Sequence, residues 1–337
     1  YVFSFAKLTV NYIIYYFRRF VLLQGDQWAR RMGNEGYQRY LEKKAIVPDA
    51  GQNADDLILI SSKIFSEEKL TDDNLHIHAL WVGSTLSKLE LLTIHSFIEQ
   101  GHVFHLWCYD KVTTILPAGI VIENANEIIP AEKVFRYKHV NKYGHGKGSV
   151  SGFSDIFRYK LLYEKGGWWV DMDVTCLKPL NVTAPYFFRR HHVLDLVGNV
   201  MKCPPKSALM LACYEEASAK VNEENTDWHK PIEILNRHVM SEKLERFIYS
   251  DVSNLDDWKE LLPLIIGSEA IPEHYRFIHW MNEEWRSREI NKDDFRFNSV
   301  LGKAMIEAGF INKPKSKFEE LWNDFRHLIL LRVFYKA

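Results

Sequence analysis

The chain has 337 residues, with 43 Lys and Arg against 44 Asp and Glu for a formal net charge of −1. Hydrophobic residues at 47%, aromatic residues at 14% and charged residues at 26% are ordinary for a folded chain and exclude disorder as its main state. Near-neutrality argues against a nucleic-acid binder, which draws on a basic excess, and the length suits one large or two small domains at roughly 150 residues each.

Residues 1–45 are rich in aromatics and Arg and read as helices. Eight basic residues stand there against Asp26, Glu35 and Glu42, a net +5. Such a stretch can lie peripherally on an anionic membrane surface; the plain alternative is a helical hairpin packed on the main domain. Lys7, Asn11, Arg18 and Arg19 interrupt the most apolar run, so no segment qualifies as a membrane-spanning helix. The sequence begins with Tyr rather than Met, which leaves an upstream anchor open. A turn-rich linker, Val47-Pro48-Asp49-Ala50-Gly51-Gln52-Asn53, follows. It divides a helical extension, residues 1–54, from a catalytic domain, residues 55–337.

Beyond the linker the pattern alternates. Residues 75–82 predict a strand with Ile77, Ala79 and Trp81 on one face. Ser84 is placed to cap a helix that Gly101 closes, and residues 103–109 and 119–123 predict two more strands. The alternation predicts an α/β sheet with crossover helices. No G-x-G-x-x-G follows the first strand, so a usual dinucleotide fold is not expected.

The chemistry lies in residues 151–180. Ser154, or Ser151 one turn earlier, is placed to cap a helix that ends at Gly166-Gly167. Asp155, Arg158 and Leu162 share one face of it. Residues 168–170 then predict a strand ending in Asp171-Met172-Asp173. A period of two would point both carboxylates the same way, and a hard cation such as Mn²⁺ or Mg²⁺ relieves their repulsion while holding substrate phosphate oxygens. A solvated loop is the alternative for a bare D-x-D. Cys108, Cys176, Cys203 and Cys213 form no C-x-x-C pair and read as reduced thiols or core packing. The sequon Asn181-Val182-Thr183 is of a kind that arises by chance.

The whole run, S-D-x-x-R-Y-x-x-L-x-x-x-G-G-x-x-x-D-x-D, resembles the DXD-containing sugar-binding region of family 32 retaining glycosyltransferases. That region is also found in capsular and lipopolysaccharide sugar transferases, yeast-type mannosyltransferases and the large clostridial glucosylating toxins. The matching residues are Ser154, Asp155, Arg158, Tyr159, Leu162, Gly166, Gly167, Trp169, Asp171 and Asp173, with Trp169 where the family usually has Tyr. Ile77-His78-Ala79-Leu80-Trp81-Val82-Gly83 resembles the family's opening I-H-x-x-W-x-G. The likeness covers roughly residues 75–200, with the acceptor and closure region in residues 201–337.

The resemblance implies a GT-A fold, a Rossmann-like mixed sheet flanked by helices, and a nucleotide-sugar donor, UDP-linked by default. It implies that Trp81, Val82 and Gly83 hold the nucleobase, and that Ser154, Asp155, Arg158 and Trp169 line the donor. It implies that Asp171 bridges ribose and metal, that Asp173 binds the metal, and that Asn199 faces the donor. Family members often close the site late in the chain with a loop containing His and Trp. Residues 277–285 resemble it, which makes Trp285 a donor contact and His279 the expected third ligand, with Glu283 and Glu284 as alternatives. Asn282-Glu283-Glu284 stands where small Gly or Ser residues are usual.

The reading that results is a metal-dependent retaining transferase acting on a glycan, polysaccharide or lipid-linked oligosaccharide. A toxin-like enzyme with a protein acceptor and a silent sugar-nucleotide-binding module are its rivals. The full set Asp155, Arg158, Asp171 and Asp173 disfavours the silent module. A cytoplasmic place at the inner membrane face is expected, with a Golgi lumenal domain parted from its anchor as the alternative.

Overall fold

The protein is described by a computed structural model covering residues 64–141 and 144–334. The expected N-terminal helices, the linker and the boundary near residue 54 lie outside the described residues. The described residues form two compact units, 64–256 with 273–290, and 257–272 with 291–334. No helix among the described residues is long and apolar enough to cross a membrane.

The larger unit opens with a single turn, α1 (Asp72–Leu75), and strand β1 (His76–Trp81). Helix α2 (Lys88–Glu99) crosses to β2 (Val103–Cys108), and β3 (Val121–Asn124) follows. Helix α3 (Ser151–Lys165) returns the chain to β4 (Gly167–Val170), which precedes β5 (Val174–Cys176), β6 (Phe187–His191) and β7 (Asp195–Cys203). Helices α4 (Ala208–Lys220) and α5 (Lys230–Ser241) lead to the short β8 (Ile248–Tyr249). Among the described residues the main sheet has the order β3-β2-β1-β4-β7-β6-β8. β1 pairs in parallel with β2 and β4, while β7 runs antiparallel to β4 and β6. This is the expected mixed α/β sheet flanked by helices.

Side-chain alternation sorts β1 and β2 onto two layers. On one face Phe104 meets Phe97 of α2, with ring centroids 5.8 Å apart. On the other, Trp107 meets Phe157 of α3 at 6.4 Å, and Phe157 reaches Trp169 of β4 at 6.3 Å. Both faces are thus covered, which is why these strands read as nearly unbroken apolar runs. Helix α3 is buried on most sides, through Phe153, Ile156, Phe157, Leu161 and Leu162, each worth about 1.5–3 kcal/mol of removed apolar surface. Its polar residues therefore sit in a rigid, water-poor frame.

Two caps differ from expectation. α2 starts three residues later than Ser84 would set it, because Ser87 forms the better cap. The Ser87 N–H and hydroxyl both donate to Glu90 Oε2, the former at 2.7 Å. Neither Ser151 nor Ser154 caps α3. Both lie inside the helix, since the Ser154 N–H already donates to the Val150 carbonyl at 2.8 Å. The C-terminal exit is as predicted: Gly166 and Gly167 have φ of 71° and 82°, and a Cβ on Gly166 would lie 2.5 Å from Pro205.

Asn181 is 2% exposed, and its amide donates to the Glu68 carbonyl at 2.9 Å; the sequon is spent on packing. All four cysteines are free and buried. After β8, strand β9 (Phe277–His279) pairs antiparallel with β5, and helix α7 (Asn282–Ser287) follows it. The smaller unit holds α6 (Trp258–Ile266), α8 (Val300–Glu307) and α9 (Lys317–Phe334). Its fully buried Arg296 pairs with Asp324 at 2.9 Å and also donates to the Ile266 carbonyl.

Candidate active site

The strand order sets the place of the site. From β1 the chain winds outward to β2 and β3, then returns through α3 to β4 on the other side of β1. In open α/β sheets ligands bind in the crevice at the carboxyl ends of strands where the winding reverses. Here those ends are Trp81-Val82-Gly83 after β1 and Asp171-Met172-Asp173 after β4. Trp81 is half-buried, its indole N–H donating to the Thr85 carbonyl at 3.1 Å. Gly83 has φ of 138°, a backbone that favours glycine.

One wall comes from α3 and β7. Asp155 and Arg158 are both buried and 3.1 Å apart. Arg158 also pairs with Asp171 at 3.0 Å and lies 5.1 Å from the centroid of the Trp169 ring. Trp169 is itself buried, and its indole N–H donates to Asp171 Oδ1 at 2.8 Å. It holds Asp171 from behind. Gly198 admits the guanidinium, because a Cβ there would stand 2.9 Å from Arg158 Nη1. Asn199 lies in β7, and its carbonyl accepts the Asp171 N–H at 2.8 Å. That bond is where β4 stops. The two aspartates therefore flank a turn and do not share a strand face, contrary to the period-of-two reading. Ser154 is half-buried on the same helix.

The opposite wall comes from β9 and α7. β5 pairs with β9 so that Val174 faces His279, which brings His279 Nε2 to 3.4 Å from Asp173 Oδ2. The same oxygen accepts the Asn282 N–H at 2.6 Å. Met281, just before, has φ of 56° and ψ of 60°, a left-handed conformation that costs a residue with a Cβ roughly 1–2 kcal/mol. That strain aims the Asn282 N–H at Asp173. Glu283 pairs with Arg286 at 2.6 Å and Glu284 with Arg288 at 2.9 Å, so both are committed elsewhere. Trp285 is buried, with its indole N–H on the Trp280 carbonyl at 2.7 Å, and it braces the loop from inside.

Electrostatics differ between the walls. Burial, with help from Asp171 and against Arg158, pushes the Asp155 carboxyl up to about 7. Burial and the repulsion of Asp173 raise Asp171 over the pull of Arg158. Across the site, burial disfavours a charged His279, yet Asp256 and Asp173 outweigh it and push the imidazole up to about 10. Burial likewise opposes the Asp256 charge, but Arg189 and His279 hold that carboxyl well below the usual range. His279 Nε2 thus faces Asp173 Oδ2 at 3.4 Å, on the side where the sequence puts a third ligand.

The donor set of Asp171 and Asp173 suits a hard divalent cation, and both hydrogen-bond donors to Asp171 land on the one oxygen, Oδ1. No group of three or more His, Cys, Asp or Glu able to hold a metal occurs among the described residues. Two carboxylates at one turn fit a cation completed by substrate phosphate oxygens and water, the usual manner for Mg²⁺.

Three residues were not visible in the sequence. Arg189 and Asp256 form a buried pair at 2.6 Å behind His279. The Tyr137 hydroxyl, buried near Asp155, has no hydrogen-bond partner among the described residues. None sits in a recognisable pattern, because each arrives from a separate loop or strand.

Residues 107–187 match the family model of the glycosyltransferase sugar-binding region containing a DXD motif. The match takes in α3, β4 and the Asp171–Asp173 turn, and it identifies the chain as a transferase. Such a region goes with a nucleotide-sugar donor and a divalent metal. No curated protein matches the chain. Among solved structures, the PaToxG glycosyltransferase is 11% identical, with 81% of this chain and 94% of that chain covered and a TM-score of 0.38. A transferase solved as a double cysteine-to-serine mutant is 9% identical over 62% of this chain and 95% of that chain, with a TM-score of 0.36.

Proposed function

We propose that the protein is a metal-dependent retaining glycosyltransferase that moves a sugar from a nucleotide-diphosphate donor, UDP-linked by default, to a hydroxyl of a glycan, polysaccharide or lipid-linked oligosaccharide. One observation carries the reading. Arg158 Nε and Asn199 Nδ2 are buried beside Asp171 with no hydrogen-bond partner among the described residues. Leaving a buried donor unmade costs about 1–3 kcal/mol. Two such buried donors beside Asp171, near a topological switch point, lack a partner that a polar, hydroxyl-rich ligand would supply.

In this reading Trp81 stacks on the nucleobase, and Val82 and Gly83 offer their main chain. Arg158 and Asn199 donate to the sugar and diphosphate, and Asp155 accepts from a sugar hydroxyl. Asp171 and Asp173 would hold the divalent cation, which would supply neutralisation of the charge gathering on the diphosphate. The acceptor oxygen bonds to the anomeric carbon on the face from which the diphosphate leaves. The anomeric C–O bond breaks with its electron pair going to the diphosphate, which also takes the acceptor's proton. No side chain need act as a strong base, and fixed positioning and charge supply the rate.

A thermal-shift screen of nucleoside diphosphates and their sugars, with and without Mn²⁺, tests the proposal. Binding to the folded state alone adds about 2.7 kcal/mol at a hundred times the dissociation constant. A Mn²⁺-dependent shift with one nucleotide class supports it, and no shift with any of them removes it.

A further inference from the structure

We propose that Arg189 and Asp256 are positioning residues of this site, a buried ion pair that sets Asp173 through His279 and sets the Asn199 amide directly. The inference rests on the reading of the site given above. Arg189 comes from β6 and is 3% exposed. Its fork is spent on several partners at once. Nε donates to Ser253 Oγ at 2.7 Å, Nη2 to the Asn254 carbonyl, and Nη1 to Asp256 Oδ2 at 2.6 Å. Nη1 also lies 3.5 Å from Asn199 Oδ1.

Each contact has a consequence within the crevice. A guanidinium can only donate, so the Asn199 oxygen must face it. That orientation leaves Nδ2, the unpartnered donor, turned away from Arg189. Asp256 gives its second oxygen, Oδ1, to His279 Nδ1 at 2.6 Å. With Nδ1 engaged, Nε2 is the end that faces Asp173 Oδ2. The backbone repeats the tie: Asn254 Nδ2 donates to the His279 carbonyl at 2.9 Å, and the His279 N–H donates to Asn254 Oδ1 at 2.8 Å. One guanidinium thus links β6, β7, the 253–256 segment and β9.

A buried Arg–Asp pair is a poor way to gain stability alone, since desolvation offsets much of the attraction. Its value here is directional. Outer partners of carboxylate ligands fix ligand geometry, and their loss typically weakens metal binding 10- to 100-fold. Asp256 stands in that relation to Asp173, with His279 between them.

The test is the Mn²⁺ affinity of the whole chain with UDP or GDP present, read from the free-Mn²⁺ electron paramagnetic resonance signal and not from turnover. Asp256→Asn should weaken Mn²⁺ binding by about 10-fold or more, and His279→Gln should do the same. The double variant should be no worse than either alone, because both break one chain of contacts. Arg189→Lys keeps the charge but gives up the fork, and should fall in the same direction. In the wild-type chain, which needs no variant to fold, Mn²⁺ with nucleotide should broaden the ¹⁵N-labelled ring signal of His279 beyond those of the other histidines. Unchanged Mn²⁺ affinity in folded Asp256→Asn or additive losses in the double variant overturns the inference and leaves the functional reading standing, whereas an unbroadened His279 takes the cation away from Asp173 and removes both. A wild-type chain that binds no Mn²⁺ with either nucleotide removes both.

Discussion

The two walls of the crevice solve the cost of buried charge in opposite ways. On the α3 wall, burial wins. Asp155 is pushed up to about 7 and Asp171 is raised, although Arg158 touches both. On the β9 wall, pairing wins. Asp256 is held well below the usual range and His279 is pushed up to about 10. The first wall is short of positive charge and has donors with no partner among the described residues, which is the lack the proposed ligand would fill. The second is satisfied from within and serves as its support. Reactive and supporting roles can therefore be told apart by whether a wall's charges balance before anything binds.

The most severe way to break that contrast is to remove the residue the walls share. Asp173 takes the Asn282 N–H and faces His279, and lies close enough to Asp171 to raise it. Asp173→Asn should lower metal-dependent turnover by about 10²–10³-fold or more, the scale of losing one well-placed electrostatic group. Its melting temperature should stay within a few degrees, since the amide keeps an oxygen for the Asn282 N–H. Near-normal turnover in Asp173→Asn, assayed across a Mn²⁺ series, would take Asp173 out of the site.

Trp81→Ala is the next largest. The ring is only half-buried at the end of β1, so the core loses little. Nucleotide affinity should fall by about 1–3 kcal/mol, the usual worth of one base–aromatic stack, with turnover at saturating donor largely kept. Isothermal titration calorimetry with the nucleoside diphosphate decides the matter, and an unchanged dissociation constant clears Trp81 of any contact with the base.

Acidity separates the walls without a substrate. For Asp155 the pKa rises from 3.8 unfolded to about 7 folded. The folded state holds the extra proton in that window, so stability declines as pH rises from 3.8 to about 7 and is level above. For His279 the pKa rises from 6.5 to about 10. Its contribution is complete below 6.5 and is lost as pH rises to about 10. Asp155→Asn should therefore raise stability at pH 8, on the order of 1–2 kcal/mol, while turnover drops. His279→Gln should lower stability at pH 6 by a similar amount. Denaturant unfolding of the metal-free protein at several pH values reads both. Equal pH dependence in wild type and Asp155→Asn would mean that the carboxyl is not buried as described.

The two walls were also unequally legible. The α3 wall lies in one stretch of sequence, where Asp155 and Arg158 are three residues apart on a helix and Asp171 follows the strand that this helix feeds. The helical period puts Asp155 and Arg158 on one face, and the resemblance of the whole run adds Asp171 to them. The β9 wall is assembled from β6, the 253–256 segment and residues 279–282. Only the pairing of β5 with β9 and a left-handed Met281 bring these into contact, and no local period encodes either. His279 was found because it lies in a recognisable aromatic loop, but its role depends on Asp256, which no spacing connects to it. The sheet was legible where strands are apolar runs between turn residues. The caps were not, because Ser84, Ser87, Ser151 and Ser154 offer the same chemistry, and the choice falls to partners such as Glu90 that the fold brings into place.

The smallest effect supplies the control on which the others depend. Ser87 and Glu90 close the start of α2, whose Thr93 hydroxyl donates to the Met172 carbonyl at 3.1 Å, and Glu90 is fully buried. Ser87→Ala removes the hydroxyl and leaves the Ser87 N–H on Glu90. The loss should be about 1 kcal/mol, typical of a capping residue, or a fall of a few degrees in melting temperature. The Ser87 hydroxyl bonds Glu90 and no residue of either wall, so Mn²⁺ and nucleotide affinities measured on the same sample should match wild type. A chain that tolerates this loss with its ligand affinities intact shows that instability of that size does not by itself weaken the site. Larger affinity losses in Asp256→Asn or Trp81→Ala then belong to the contacts removed. If Ser87→Ala instead lowers Mn²⁺ affinity as much as Asp256→Asn does, the site is coupled to the whole sheet, and the division into a reactive and a supporting wall fails.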